Sequence, residues 1–232
     1  MKSDIQAVFL DFGNVLVSFK DRVAVLEEIA EAHKGSPHRL RQFLTNGKEY
    51  SVQRQNTPFL ERVDRGEFNK FQFCKKICEE GDFDLDMDQF ETMFTKYLAP
   101  FPETVDLAKK LSTHYTLIGI TNGSELEAKK VAEIVSPVTF QGIIYSWQVG
   151  YKKPDKQIWE HACDIAKVPP KKVVFVDDVP EYVEVWKNMG GHGICFNATK
   201  QPITDLVQEL NALGVVTEPH TGKEFYVRPR TS

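Results

Sequence analysis

Residues 7–17 read Ala7-Val8-Phe9-Leu10-Asp11-Phe12-Gly13-Asn14-Val15-Leu16-Val17. Four apolar residues end abruptly on a carboxylate, and a Phe-Gly-Asn turn follows before aliphatics resume. A short apolar run bounded by turn residues suits a strand buried on both faces, as in a parallel sheet. A carboxylate at the carboxyl end of such a strand sits where open α/β sheets take their ligands. Alone, Asp11 reads as an ordinary turn residue. Three later stretches end in the same way and change that reading.

At 232 residues the chain suits one substantial core plus a smaller second domain. A net charge of −4 gives no basic field, so neither nucleic acid nor a membrane surface is expected as a partner. No apolar stretch reaches the length of a membrane span, and Met1-Lys2-Ser3-Asp4 opens no secretory segment. A cytoplasmic protein is expected. Cys74 and Cys78 lie one helical turn apart, but no second Cys/His pair has matching spacing. They read as buried thiols rather than zinc ligands.

After the first strand the pattern changes. Apolar residues recur at three- and four-residue intervals over 22–33, 37–44, 57–63, 71–80 and 88–98, which predicts a block of helices without strands. Asp82, Asp84, Asp86 and Asp88 alternate as in a calcium loop, yet the Gly and Glu of such a loop are missing, so a solvated acidic loop is expected. From Pro100 onward, strands over 115–120, 142–146, 172–176 and 192–196 alternate with helices over 102–111, 125–134, 156–166, 181–189 and 201–213. That rhythm predicts an α/β fold, a doubly wound parallel sheet with helices on both faces. The expected organisation is an α/β core over 1–18 and 99–216, a helical cap over 19–98, and a loosely packed tail over 217–232.

Each core strand hands over to polar residues: Asp11, then Thr121-Asn122-Gly123-Ser124, then Lys152-Lys153-Pro154-Asp155, then Asp177-Asp178. A parallel sheet puts all these ends on one edge. Singly, Thr121 could be a helix cap, Lys153 a surface lysine and the Asp pair a cap with a solvated neighbour. Together they hold a carboxylate nucleophile, a hydroxyl, an ammonium and two further acids. An anionic phosphoryl group can approach Asp11 only with cations nearby. Mg2+ held by Asp11 and Asp178, with Asp177 acting through water, would supply most of that charge. Lys153 would neutralise another phosphoryl oxygen. The Thr121 hydroxyl and the N–H groups of Asn122 and Gly123 would grip the rest.

These four stretches resemble the motifs of the haloacid dehalogenase (HAD) superfamily: 11–16 motif I, 121–123 motif II, 153–155 motif III and 177–178 motif IV. The helical insert resembles the C1 cap of that superfamily, and Arg65-Gly66-Glu67 followed by Phe71 is similar to a phrase of its sugar-phosphate phosphatases. The Asp-x-Gly-Asn-Val signature resembles the glucose-1-phosphate phosphatase-like subgroup. The resemblance implies a Mg2+-dependent phosphatase of small phosphorylated metabolites, sugar phosphates in particular, working through an aspartyl phosphate as a monomer or homodimer. It implies Asp11, Thr121 and Lys153 as catalytic, Asn122 and Gly123 as substrate-binding, and Asp11, the Gly13 carbonyl, Asp177 and Asp178 at the metal.

Two positions depart from the pattern. Gly13 stands where most phosphatases of the superfamily carry a general acid/base Asp, and Tyr182 stands where many relatives carry Asn or Asp. Positioned proton transfer contributes ~10²–10⁴-fold, so its loss should be felt. Three alternatives follow from Gly13: a leaving group that needs little protonation, a proton from water or the cap, or a regulatory protein that binds phosphate ligands without hydrolysis. Dehalogenases of the superfamily also lack the second Asp but do not keep paired motif IV acids, so Asp177-Asp178 counts against them. A phosphonoacetaldehyde hydrolase-like activity would need a cap lysine, for which Lys48 is the best placed.

Overall fold

The structure, a computed structural model, describes residues 4–47 and 57–217. The chain opens with β1 (Ala7–Leu10) and β2 (Val17–Ser18), followed by α1 (Arg22–Ala32), α2 (Pro37–Thr45), α3 (Pro58–Asp64), α4 (Lys70–Gly81) and α5 (Met87–Thr95). β3 (Ala99–Pro100), α6 (Pro102–Leu111), β4 (Thr116–Thr121), α7 (Glu125–Val135), β5 (Gly142–Tyr145) and α8 (Ser146–Val149) come next. The last elements are α9 (Lys156–Ala166), a 3-10 turn (Pro170–Lys172), β6 (Val173–Asp177), α10 (Pro180–Asn188), β7 (His192–Cys195) and α11 (Ile203–Ala212).

Five strands form one parallel sheet in the order β5-β4-β1-β6-β7. β1 is wholly buried at its centre, which is why its sequence runs apolar without alternation. Its side chains nonetheless divide between two layers. Val8 and Leu10 pack with Leu117, Val174 and Val176 against Leu111 of α6, Val135 of α7 and Leu210 of α11. Ala7 and Phe9 pack with Ile118 and Phe175 against Trp159 of α9 and Trp186 of α10. The chain winds outward from β1 through β4 and β5, then returns to β6 on the other side. The order therefore reverses at β1, the switch point where such sheets open a ligand crevice.

The helices α1 to α5 have a core of their own around Phe59, Phe73, Phe90 and Phe94. All five start on a side-chain cap: Asp21, Ser36, Thr57, Asn69 and Asp86 each accept from the amide three residues on. Asp86 is thus a cap, and Asp82 closes α4 in the left-handed region, φ 57°. Cys74 and Cys78 are buried and unbridged, and belong to no metal-binding group among the described residues.

The block is not reached through strandless chain. β2 and β3 pair antiparallel where the chain leaves the sheet and re-enters it, and Phe101 N–H donates to Leu16 O at 2.9 Å. Two residues per strand are too few to leave an alternation in the sequence. β5 runs directly into the one-turn helix α8, which takes Ser146 out of the strand expected over 142–146. Thr217, assigned to the tail, is buried and donates to Asn211 Oδ1 at 3.1 Å. The rest of the expected tail, 218–232, and Lys48 lie outside the described residues. Among the described residues no helix is long and apolar enough to cross a membrane.

Candidate active site

Asp11 follows β1 directly, and its N–H donates to Val176 O at 2.9 Å, continuing the β1–β6 ladder by one residue. The carboxylate is thereby fixed at the lip of the switch-point crevice. β6 ends one step further on in Asp177, and Asp178 follows it. One oxygen from each of Asp11, Asp177 and Asp178 lies within 4.8 Å of the others, close enough to share a cation.

Lys153 enters from the loop before α9 and is buried among these acids. Its Nζ donates to Asp11 Oδ1 and to Asp177 Oδ2, both at 2.6 Å. The rings of Phe175 and Tyr182 lie 5.7 Å and 5.5 Å from the ammonium, measured to their centroids. Tyr182, the departure from the expected Asn or Asp, thus lends an aromatic face to the cation. Asn122 holds the lysine by its backbone: its Oδ1 accepts from Lys153 N–H at 2.9 Å and its Nδ2 donates to Lys153 O at 3.0 Å. The side chain at 122 is therefore a clamp on the Lys153 loop. Gly123 N–H donates to the buried Ser146 Oγ at 3.1 Å, so that amide, expected to grip phosphate, already has a partner.

Asp177 Oδ1 accepts from Val179 N–H at 2.9 Å, so both of its oxygens are engaged by the protein. Asp178 differs. Asn14 Nδ2 and Asn197 Nδ2 each donate to its Oδ2 at 3.0 Å. Neither carboxamide was assigned from the sequence. Asn14 stands inside motif I, in the left-handed region at φ 53°, and was an available signal; Asn197 follows β7 in no recognisable pattern.

The charges do not balance locally. Burial raises the pKa of Asp11 to about 8; Lys153 opposes the rise, and Asp177 and Asp178 reinforce it. The Asp177 carboxyl is pushed up too, chiefly by burial. Lys153 is also shifted upward, because its two carboxylate partners outweigh its own burial penalty. Burial thus drives the rise of the two acids, and the neighbouring carboxylates drive that of the lysine.

These groups open into a cavity of about 150 Å³ whose walls include Thr121, Gly13 and, from the helical block, Phe19, Arg22, Asp64 and Leu98. A Cβ at position 13 would stand 2.8 Å from Phe19 Cε1, inside contact distance. The ring thus takes the volume that an acidic side chain at 13 would enter. The helical block docks beside the site through Arg65, whose Nη1 lies 2.5 Å from Asp155 Oδ2, and through Gly66. With φ +74° and a would-be Cβ 2.1 Å from Trp147 O, Gly66 admits no side chain.

No curated protein matches the chain. Among solved structures, the HAD family enzyme bt-2542 of Bacteroides thetaiotaomicron is similar at 18% identity and TM-score 0.71, over 88% of this chain and 98% of that one. That enzyme has also been solved in complex with magnesium and inorganic phosphate. A HAD-like family hydrolase of Porphyromonas gingivalis is similar at 16% identity and TM-score 0.69, over 90% and 98% of the two chains. An L-2-haloacid dehalogenase is similar at 20% identity and TM-score 0.54, over 82% and 83%. At such identities these likenesses describe the fold. The family model of the haloacid dehalogenase-like hydrolases runs from residue 5 to residue 190, through Asp11, Thr121, Lys153, Asp177 and Asp178, and the chain belongs to that family.

Proposed function

We propose that the protein is a Mg2+-dependent phosphoric monoester hydrolase acting on a small phosphorylated metabolite, of sugar-phosphate type, with Asp11 as nucleophile. The observation that carries this reading is the Lys153 ammonium, held 2.6 Å from both Asp11 and Asp177 beside a third carboxylate. Three acids and one ammonium leave a buried excess of negative charge, and three carboxylate oxygens within 4.8 Å are the donor set a hard divalent cation takes. The residues fit Mg2+: Asp11 and Asp178 would hold it directly with the Gly13 carbonyl, and Asp177, with both oxygens engaged, through water. When bound, Mg2+ supplies the positive charge that lets a phosphate approach these acids. The likeness to an enzyme solved with magnesium and inorganic phosphate supports the same reading.

In this mechanism the Asp11 carboxylate attacks phosphorus and the ester P–O bond breaks, leaving an aspartyl phosphate and the departing oxygen. Water then attacks the same phosphorus, frees phosphate and restores Asp11. Lys153 offsets charge on the transferring group, while Thr121 and the Asn122 amide orient its oxygens. Position 13 brings no proton to the leaving oxygen, since glycine carries no ionisable side chain. Anomeric or acyl phosphates, whose oxygens depart with less proton help, are accordingly the favoured substrates. Assays of p-nitrophenyl phosphate, acetyl phosphate and sugar 1-phosphates with Mg2+ test the proposal. Turnover that disappears in Asp11→Asn supports it; no turnover, or turnover unaffected by that substitution, overturns it.

The absence of an acid at Gly13 also favours a second reading, a regulatory protein that binds phosphate ligands without hydrolysing them. Mg2+-dependent phosphate binding with no turnover of any ester would select it.

A further inference from the structure

Glycine at 13 leaves the departing oxygen without a proton from motif I, yet another carboxyl faces the same cavity. Among the described residues, Asp11, Asp64, Glu127 and Asp178 are the carboxyl groups that line it. Asp11 is the nucleophile, held by Lys153, and Asp178 belongs to the cluster that would hold the metal. Asp64 is engaged at both oxygens: Arg22 Nη1 donates to its Oδ1 at 2.6 Å and Nη2 to its Oδ2 at 2.9 Å. Of the four, Glu127 is left.

Glu127 stands in the first turn of α7, three residues beyond Ser124. Ser124 N–H (2.7 Å) and Ser124 Oγ–H (3.0 Å) both donate to its Oε2. That oxygen would lie 3.1 Å from a Cβ at Gly123, so the carboxyl rests on the loop that follows Thr121 and Asn122. Capping the helix thus occupies one oxygen. Oε1 takes no hydrogen bond from the described residues and is not sealed from solvent. A capping box needs a single acceptor, which glutamine provides as well as glutamate. A carboxyl with its second oxygen open, in the cavity that Asp11 lines, exceeds that structural need. Burial raises the pKa of Glu127, opposed by Arg22 and reinforced by Asp64, which is the direction a proton donor requires.

We propose that Glu127 is the general acid that position 13 lacks, protonating the leaving oxygen from Oε1. This rests on the phosphatase reading and extends it to esters whose alkoxide cannot depart unaided. As the bond from Asp11 to phosphorus forms and the ester P–O bond breaks, the Glu127 proton moves to the departing oxygen. The Glu127 carboxylate then takes a proton from the water that attacks the aspartyl phosphate, and the cycle closes.

The test is Glu127→Gln, which keeps an acceptor for the cap and loses the acid. Acetyl phosphate and ethyl phosphate are nearly equal in size, but acetate leaves without a proton and ethoxide does not. Their kcat/KM values with Mg2+ report the steps through loss of the leaving group. In the variant, shown folded by its melting curve, acetyl phosphate should stay within about twofold of wild type while ethyl phosphate falls ~10²-fold. Equal losses on both substrates, or no loss on either, overturn the inference. So does a wild type that turns over acetyl phosphate but not ethyl phosphate. If Glu127→Gln does not fold, wild-type kcat/KM for p-nitrophenyl and phenyl phosphate decides. A difference under about tenfold supports an acid at work, and a steeper fall overturns it. A wild type inert toward acetyl phosphate marks failure of the phosphatase reading itself, and the inference falls with it.

Discussion

Lys153 Nζ and Asp11 Oδ1 lie 2.6 Å apart inside the protein, although 142 residues separate them in sequence. The lysine also holds Asp177, so one ammonium fixes the geometry of two strand ends. Lys153→Met would leave two buried carboxylates without their partner. The expected result is a loss of about 3–5 kcal/mol in the metal-free protein, read by urea unfolding, together with loss of phosphatase turnover. Wild-type stability in this variant would refute the bridging role.

Asp11 ties stability to pH. Its pKa is raised from 3.8 to about 8, so the folded state binds more protons than the unfolded one between those values. The contribution is complete below pH 3.8 and is lost as pH climbs through about 8. Metal-free protein should therefore melt progressively lower from pH 5 to pH 8, and added Mg2+ should lessen the fall. Asp11→Asn should flatten the metal-free slope. An equally steep slope in the variant would assign it to other groups.

Gly13 and Phe19 should behave as one unit. Gly13→Asp alone meets the Phe19 ring and is expected to gain little toward poor leaving groups. Combined with Phe19→Ala, the same change should raise kcat by up to ~10²-fold, the lower end of what positioned proton transfer supplies. Measuring kcat for all four combinations gives the coupling. Full activation by Gly13→Asp alone would show that the ring is no obstacle.

Asn14 and Asn197 both hold Asp178 Oδ2, leaving its other oxygen for a cation. Asn197→Ala should weaken Mg2+ binding ~10–100-fold by calorimetry with the metal alone, as loss of an orienting partner does elsewhere. Unchanged affinity would reduce Asn197 to a structural contact.

The α/β class, the helical insert, the strand ends carrying Asp11, Thr121 and Asp177-Asp178, and the loop carrying Lys153 were legible because each depends on local pattern. An apolar run, a turn residue and a helical periodicity are properties of neighbours in sequence, and backbone geometry alone makes them point to one sheet edge. The β2–β3 ribbon was not legible, since two residues per strand leave no period to read. Nor were Asn197 on Asp178, Ser146 on Gly123, Phe19 in the space beside Gly13, or the Arg22–Asp64 pair. Each joins residues whose separate surroundings say nothing of one another. The sequence by itself determined which chemical groups reach the rim of the sheet. Only the tertiary structure decided how their charges add and which oxygens remain open, because Coulomb interaction and hydrogen bonding depend on distance in space, which folding sets.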